Sequence, residues 1–226
     1  MLGTLINAGA ILLGTVIGTL LSKGIPARMR ECMMQGMGLC IILIGIQEAV
    51  KTANTLCVIV CIAVGGLIGC AINIERQMER LGNFAEKKLS GSGGIANAFV
   101  TSALVFCVGA MAIVGALDSG LRGDNSTLIA KALLDGVIAV FLSSSLGIGV
   151  ALSAVAVFVY QGAIAIMSTW LAPLLTDAII NEMSAVGGLL IIGIGLNMIY
   201  DKHICVGNLL PAIFLPIAYI PLTALF

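Results

Sequence analysis

Charge is what this chain lacks most. Only 10% of its 226 residues are Asp, Glu, Lys or Arg, and the 11 basic and 11 acidic side chains cancel. A nucleic-acid surface needs clustered Lys and Arg to neutralise phosphates, and no basic block stands out beyond one mixed-sign stretch, so nucleic acid is excluded as a partner. Histidine is nearly absent as well, His203 being the single one, which excludes a His-rich metal site. The seven cysteines (Cys32, Cys40, Cys57, Cys61, Cys70, Cys107 and Cys205) never form C-x-x-C and lie almost entirely in apolar segments. Neither a zinc site nor a disulfide framework is supported, and they read as small free hydrophobes. No G-x-S-x-G or H-E-x-x-H occurs, so an enzyme is not expected and no cofactor is implied.

What is present is apolar residue, 60% of the chain, at a mean hydropathy of +1.15. That is far outside the usage of soluble domains and marks an integral membrane protein whose first partner is the lipid bilayer. Apolar residues begin at Gly3 with no positive n-region before them and no small-residue cleavage site after, so a retained helix starting at Met1 is expected rather than a signal peptide.

A spanning helix needs about 20 mostly apolar residues. That ruler gives eight segments, at about 3–22, 33–50, 55–73, 96–117, 128–146, 149–171, 183–200 and 206–225. Seven stand out, and the eighth depends on dividing 128–171 at Gly147-Ile148-Gly149, the available chain breakers. The alternative is a broken helix with a re-entrant part. The expected fold is an all-α polytopic membrane protein of 7 to 8 spans, one transmembrane domain over residues 1–226. Within it, 1–73 forms a first three-helix repeat part, 74–94 an amphipathic helix with a Gly/Ser linker, and 95–226 the remaining helices with the second repeat part.

The linker stretch I-E-R-Q-M-E-R-L-G-N-F-A-E-K-K-L (74–89) sets apolar residues at helical spacing opposite charged ones, as an interfacial helix does. Assigning Lys and Arg to alternate connections puts 8 on one side and 3, namely Lys51, Arg122 and Lys131, on the other. The positive-inside rule then places both termini on the extracytoplasmic side.

The chain also resembles itself. N-A-G-A-I (7–11) compares with Y-Q-G-A-I (160–164), L-L-S-K (20–23) with L-L-T-D (174–177), and G-L-C-I-I-L-I-G-I-Q (38–47) with G-L-L-I-I-G-I-G-L-N (188–197). Segments one and two thus match segments six and seven, and a weaker likeness pairs segment four with segment five. An odd number of crossings between the copies makes this an inverted repeat, the plan of many secondary transporters with a site near the midplane.

An ionised Asp inside a span costs about 2.5 to 3.5 kcal/mol, which makes Asp135 the leading candidate for ion or substrate binding. It lies about two turns into segment five, with Ser143, Ser144 and Ser145 toward the other end. At helical spacing one serine at most continues the carboxylate's face. The alternative is an Asp135 at headgroup level with serines that merely ease packing. Gln47 and Asn197 fall at matching repeat positions, either as partners across the pseudo-two-fold axis or as helix glue. Asp118, with Arg122 and Asp124 in A-L-D-S-G-L-R-G-D-N-S-T (116–127), reads as a turn with exposed ion pairs or as a vestibule. Asn7, Gln161 and Glu48 are expected to be satisfied by neighbouring helices. Gly14 with Gly18 and Gly65 with Gly69 share the form G-x-x-I-G, small faces for tight packing that join helices within the chain or protomers of a homo-oligomer.

The strings G-T-L-I-N-A-G-A-I-L-L-G-T-V-I-G (3–18), F-C-V-G-A-M-A-I-V-G-A-L-D-S-G-L-x-G-D (106–124), K-A-L-L-D-G (131–136) and Y-Q-G (160–162) resemble an uncharacterised bacterial membrane-protein family, the YqgA/YdfK type. That resemblance covers nearly the whole chain and implies the bacterial inner membrane. More distantly, L-D-G-x-x-A (134–139) and G-G-L-L-I-I-G-I-G-L-N (187–197) are similar to manganese-efflux and lysine-exporter-like transporters. These imply inverted three-helix repeats with an Asp near the start of the corresponding helix in each half. Here Asp135 fits and Val100 stands opposite it, so a symmetric two-carboxylate site is not expected. The expected function is a small secondary transporter or channel-like permease for an inorganic cation or small polar solute. The alternatives are a membrane scaffold or subunit and, more weakly, a membrane enzyme.

Overall fold

The computed structural model describes residues 1–22, 26–77, 80, 94–200 and 204–223, and these are all helix and connection with no strand. In chain order they form α1 (Leu2–Ser22), α2 (Ala27–Ala49), α3 (Thr55–Ile72), α4 (Ile95–Cys107), α5 (Ala110–Leu121) and α6 (Ser126–Leu146). A 3-10 turn (Ile148–Val150) leads into α7 (Ala151–Ile166), α8 (Ser168–Leu171) and α9 (Asp177–Ile199). The chain closes with α10 (Val206–Leu209), a 3-10 turn (Leu210–Phe214) and α11 (Pro216–Thr223). The expected interfacial helix over 74–89 lies mostly outside the described residues, as does His203.

Six of these helices are long and apolar enough to cross a membrane, and two bent pairs bring the total to eight where each pair makes one span. Polar caps end them where the sequence places Asn and Thr. Asn54 Oδ1 accepts from the Cys57 N–H to start α3, the Thr176 hydroxyl accepts from the Ile179 N–H to start α9, and Asn73 closes α3 in the left-handed conformation. Leucines and isoleucines such as Leu5, Leu13, Leu43 and Leu67 stay exposed, as a lipid-facing surface requires. α9 runs through the middle, with 78% of its most apolar window buried against 17% for α2.

Six of the eight expected segments are helices of spanning length, and Gly147 at φ 82° divides α6 from α7 into two of them. The fourth differs from expectation. It is cut into α4 and α5, which bend by 64° across Val108 and Gly109. Val108 is extended and Gly109 sits at φ 115°, a conformation open to glycine and strained for other residues. The last segment bends by 41° between Phe214 and Pro216, where Pro216 and Pro221 cannot supply helix N–H groups.

Glycine contacts set the direction of packing. Along the α1–α6 contact, a Cβ added at Gly3 would meet Leu128 and one at Gly14 would meet Ala139, while one at Gly18 would strike Ser143. Both numbers rise together, so α1 and α6 are parallel. With α2 and α3 each crossing once, parallel α1 and α6 require that α4 and α5 together make a single crossing. Gly65 lies against Ala212 and Gly69 against Asn208; here one number falls as the other rises, so α3 is antiparallel to the last segment. Both G-x-x-I-G faces are therefore used inside the chain.

The α2–α9 contact is reciprocal. A Cβ at Gly45 would lie 2.7 Å from both the Gly188 carbonyl and Ile192 Cγ1, and one at Gly195 would lie 2.7 Å from the Gly38 carbonyl and 2.6 Å from Ile42 Cγ1. In the alignment of 38–47 with 188–197, Gly38 matches Gly188, Ile42 matches Ile192 and Gly45 matches Gly195. Each residue thus touches its partner's counterpart, which is the contact pattern of a two-fold axis.

Candidate functional site: a buried polar cluster between α1, α6 and α7

The close α1–α6 contact brings a polar group from each helix together without room for lipid. Asp135 lies nine residues into α6, about 14 Å along the axis at 1.5 Å per residue, near the middle of a hydrocarbon layer of about 30 Å. One turn before it on the same face is Lys131, whose Nζ donates to Asp135 Oδ1 at 2.9 Å. From α1, Asn7 Nδ2 donates to Asp135 Oδ2 at 3.0 Å and reaches Gln161 Oε1 of α7 at 3.4 Å. Both carboxylate oxygens therefore carry a donor. Asp135 is 2% exposed and Lys131 7%, while Asn7 and Gln161 are fully buried.

Three polar atoms beside this network have no partner: Asn7 Oδ1, Gln161 Nε2, and Thr4 Oγ1 one turn before Asn7 on α1. An unpaired buried polar group costs about 1 to 3 kcal/mol, so a cluster with three of them is one that a water or a polar solute would complete. The charges compensate within the pair, which leaves the cluster neutral and lowers the cost of holding an ionised Asp in the bilayer.

The serines do not share this site. Ser143 lies two turns beyond Asp135 and donates to the Ala139 carbonyl at 2.6 Å, and Ser144 donates to the Phe141 carbonyl at 2.7 Å. Ser145 is buried on the same turn. The hydroxyls of Ser143 and Ser144 are turned back on the helix, and Ser143 fills the notch opposite Gly18, contacts of the kind that serve packing. Gln47 and Asn197 are not brought together. α2 and α9 are antiparallel, so these two C-terminal residues sit at opposite ends; Gln47 is exposed, and Asn197 binds the Ile204 N–H and carbonyl at 2.8 Å each. Asn197 instead borders a separate cavity of about 220 Å³ with Glu75, Asn97 and Thr101.

Asp118 ends α5 in a long ion pair with exposed Arg122, 3.8 Å apart, and its carbonyl accepts from the Arg122 and Asp124 N–H groups. Asp124, in the same turn outside the spans, has its carboxyl held below the ordinary carboxylate range by the Ser126 backbone and side chain. This segment is a capped turn. Among the described residues no three His, Cys, Asp or Glu side chains gather as a metal site would need.

The match to known families spans this architecture. Residues 2–220 fit the family model described as "Protein of unknown function (DUF554)", a span that holds the whole cluster. The chain belongs to the DUF554 family. Among its relatives, "Uncharacterized membrane protein YdfK" of Bacillus subtilis (strain 168) is 34% identical over 220 residues, 96% of this chain and 94% of the relative. "Uncharacterized protein YqgA" of Escherichia coli (strain K12) is 36% identical over 222 residues, 95% of this chain and 94% of the relative. No solved structure matches. YdfK is described as a membrane protein, in keeping with the six to eight membrane-length helices of this chain, and both relatives are bacterial.

Lys131 is the cluster member that sequence reasoning misplaced. The charge count takes it with a connection, whereas α6 begins five residues before it and, like the expected 128–146 segment, holds it within the helix. The i, i+4 spacing of K-A-L-L-D was the available signal, since oppositely charged residues four apart share a helix face. Asn7 and Gln161 were expected to be satisfied by neighbouring helices, and each is satisfied at one end of its amide only.

Proposed function

We propose that the chain is a small secondary transporter or channel-like permease that moves an inorganic cation or small polar solute across the bacterial inner membrane, with Asp135 as the ion- or proton-binding group. The observation that carries this reading is the Asp135–Lys131 pair at mid-depth, bonded to Asn7 and flanked by three unpartnered polar atoms. Intramembrane ionisable groups are costly and mark pathways or proton relays. α1 and α7 are the helices matched by the sequence repeat, and α2 and α9 meet reciprocally, an arrangement that suits rocking of one repeat against the other. In the present packing Asp135 has no free oxygen. An incoming cation takes Oδ1 by displacing Lys131, so the lysine acts as a tethered counter-ion that holds the empty site neutral. The hydroxyls of Ser143 and Ser144 are committed to helix carbonyls, which supports a role other than that of an enzyme. With Lys131 inside the membrane, Lys51 and Arg122 remain as the basic residues opposite the cytoplasmic eight, in keeping with extracytoplasmic termini.

The test is flux in proteoliposomes containing pyranine, challenged with gradients of Na⁺, K⁺, Mg²⁺, Mn²⁺ or a neutral amino acid. Wild-type vesicles should show a gradient-driven proton or solute movement that protein-free vesicles lack. Asp135→Asn should abolish it, as should the charge-balanced pair Lys131→Met with Asp135→Asn, whose folding is checked by thermal unfolding. Retained flux in the folded double variant, or wild-type vesicles indistinguishable from protein-free ones, overturns the reading.

A further inference from the structure

The break between α4 and α5 lies inside the bundle, away from the Asp135 hydrogen bonds. A helix end leaves its last carbonyls without intrahelical N–H partners and carries partial negative charge. At this break the Val108 N–H is bonded to the Leu104 carbonyl, the last turn closed before the chain extends. Two side chains from other helices border it. Glu48 comes from α2: both its carboxylate oxygens would lie 3.6 Å from a Cβ at Gly109. Its Oε1 accepts from Lys51 Nζ at 2.6 Å, and its Oε2 is buried with no partner. Ser184 comes from α9; it is 1% exposed, its hydroxyl has no partner, and with Val108 and Gly109 it lines a cavity of about 170 Å³. The tight α2–α9 contact brings Glu48 against α9 one turn from Ser184, since a Cβ at Gly188 would lie 3.0 Å from Glu48 Cβ.

We propose that this break is a cation site, taking a monovalent alkali ion of the sodium class on Glu48 Oε2, Ser184 Oγ and the carbonyl oxygens that end α4. The donors are all oxygen, which selects a hard cation. Glu48 brings one negative charge that it shares with Lys51, whose ammonium is 39% exposed and so is screened by water, and this suits one added positive charge better than two. Divalent ions such as Ca²⁺ and Mg²⁺ draw on more carboxylate or on retained water. The cavity beside Ser184 is mostly apolar, with Leu104, Ile113 and Phe214 in its lining. Glu48 differs from Asp135 in the decisive respect that one of its oxygens is still open.

The site stands apart from the transport reading and is measured by binding alone. Purified full-length protein in detergent is unfolded thermally in NaCl, KCl, LiCl and choline chloride at equal ionic strength. A ligand bound only by the folded state raises the unfolding temperature in proportion to the logarithm of its excess over Kd. Na⁺ should give a saturable rise over choline, Glu48→Gln and Ser184→Ala should each remove the rise while unfolding cooperatively in choline, and Asp118→Asn, a carboxylate of the α5 turn outside both clusters, should keep it. No alkali-specific rise in the wild type, stabilisation by low pH alone, a rise that survives Glu48→Gln, or a rise lost equally in Asp118→Asn would each overturn the proposal.

Discussion

At the scale of single residues, Asp135 and Lys131 must be understood together. Each alone would be an uncompensated charge among apolar helices, and removing one partner of a buried pair typically costs about 3 to 5 kcal/mol because the other is left stranded. Lys131→Met should therefore destabilise the protein strongly, whereas Lys131→Met combined with Asp135→Asn should recover most of that loss by leaving two uncharged side chains within reach of Asn7. Unfolding titrations in dodecyl sulfate measure both, and a double variant no more stable than the single one would mean that charge pairing is not what Lys131 contributes. The carboxylate itself was legible in the sequence, because a charge within an apolar run is conspicuous. Its partners were not: Asn7 and Gln161 lie 128 and 154 residues from what they bind, and only the packing of α1 on α6 brings them there.

At the scale of elements, glycine decides which helices touch. A Cβ at Gly65 would fall 2.5 Å from the Ala212 backbone nitrogen, while Gly36 on α2 has nothing within 4 Å of where its Cβ would be. Gly65→Ala should cost about 1 to 3 kcal/mol by forcing α3 away from the last segment, the usual range for overpacking. Gly36→Ala should gain about 0.5 to 1 kcal/mol, since alanine loses less freedom in a helix than glycine does. The comparison is internal, both being one-methyl additions read in the same dodecyl sulfate titration, and equal effects would show that the α3 contact is looser than it looks. Helix positions were legible from apolar length, and the Gly147-Ile148-Gly149 break from its two glycines. The Val108–Gly109 break was missed because one glycine in a long apolar run carries no period of its own. It becomes visible only through the extended Val108 backbone and the 64° bend. The G-x-x-I-G pairs were recognised as contact faces, and which helix each would meet depended on tertiary packing that spacing does not encode.

At the scale of the whole molecule, the number of crossings rests on direction. α1 and α6 run parallel, so an odd number of spans separates α3 from α6, and the bent α4–α5 pair counts once. Were α4 and α5 two full crossings, the turn at 122–125 would emerge on the opposite membrane face from the α2–α3 turn at 50–54. Reporter fusions distinguish these arrangements without assuming which face is outside. Alkaline phosphatase and green fluorescent protein, fused in turn after residues 53, 124 and 148, should report 53 and 124 on one face and 148 on the other. The positive-inside count adds that the shared face of 53 and 124 is the periplasmic one, active with phosphatase and dark with the fluorescent protein. If 124 instead lies opposite 53, with 148 on the same face as 53, the α4–α5 pair crosses twice or not at all, and the parallel packing that seats Asn7 against Asp135 cannot stand. If 53 and 124 agree with each other but are cytoplasmic, the fold survives and its orientation is reversed, which would place Glu48, beside the 50–54 turn, at the cytoplasmic end of its helix.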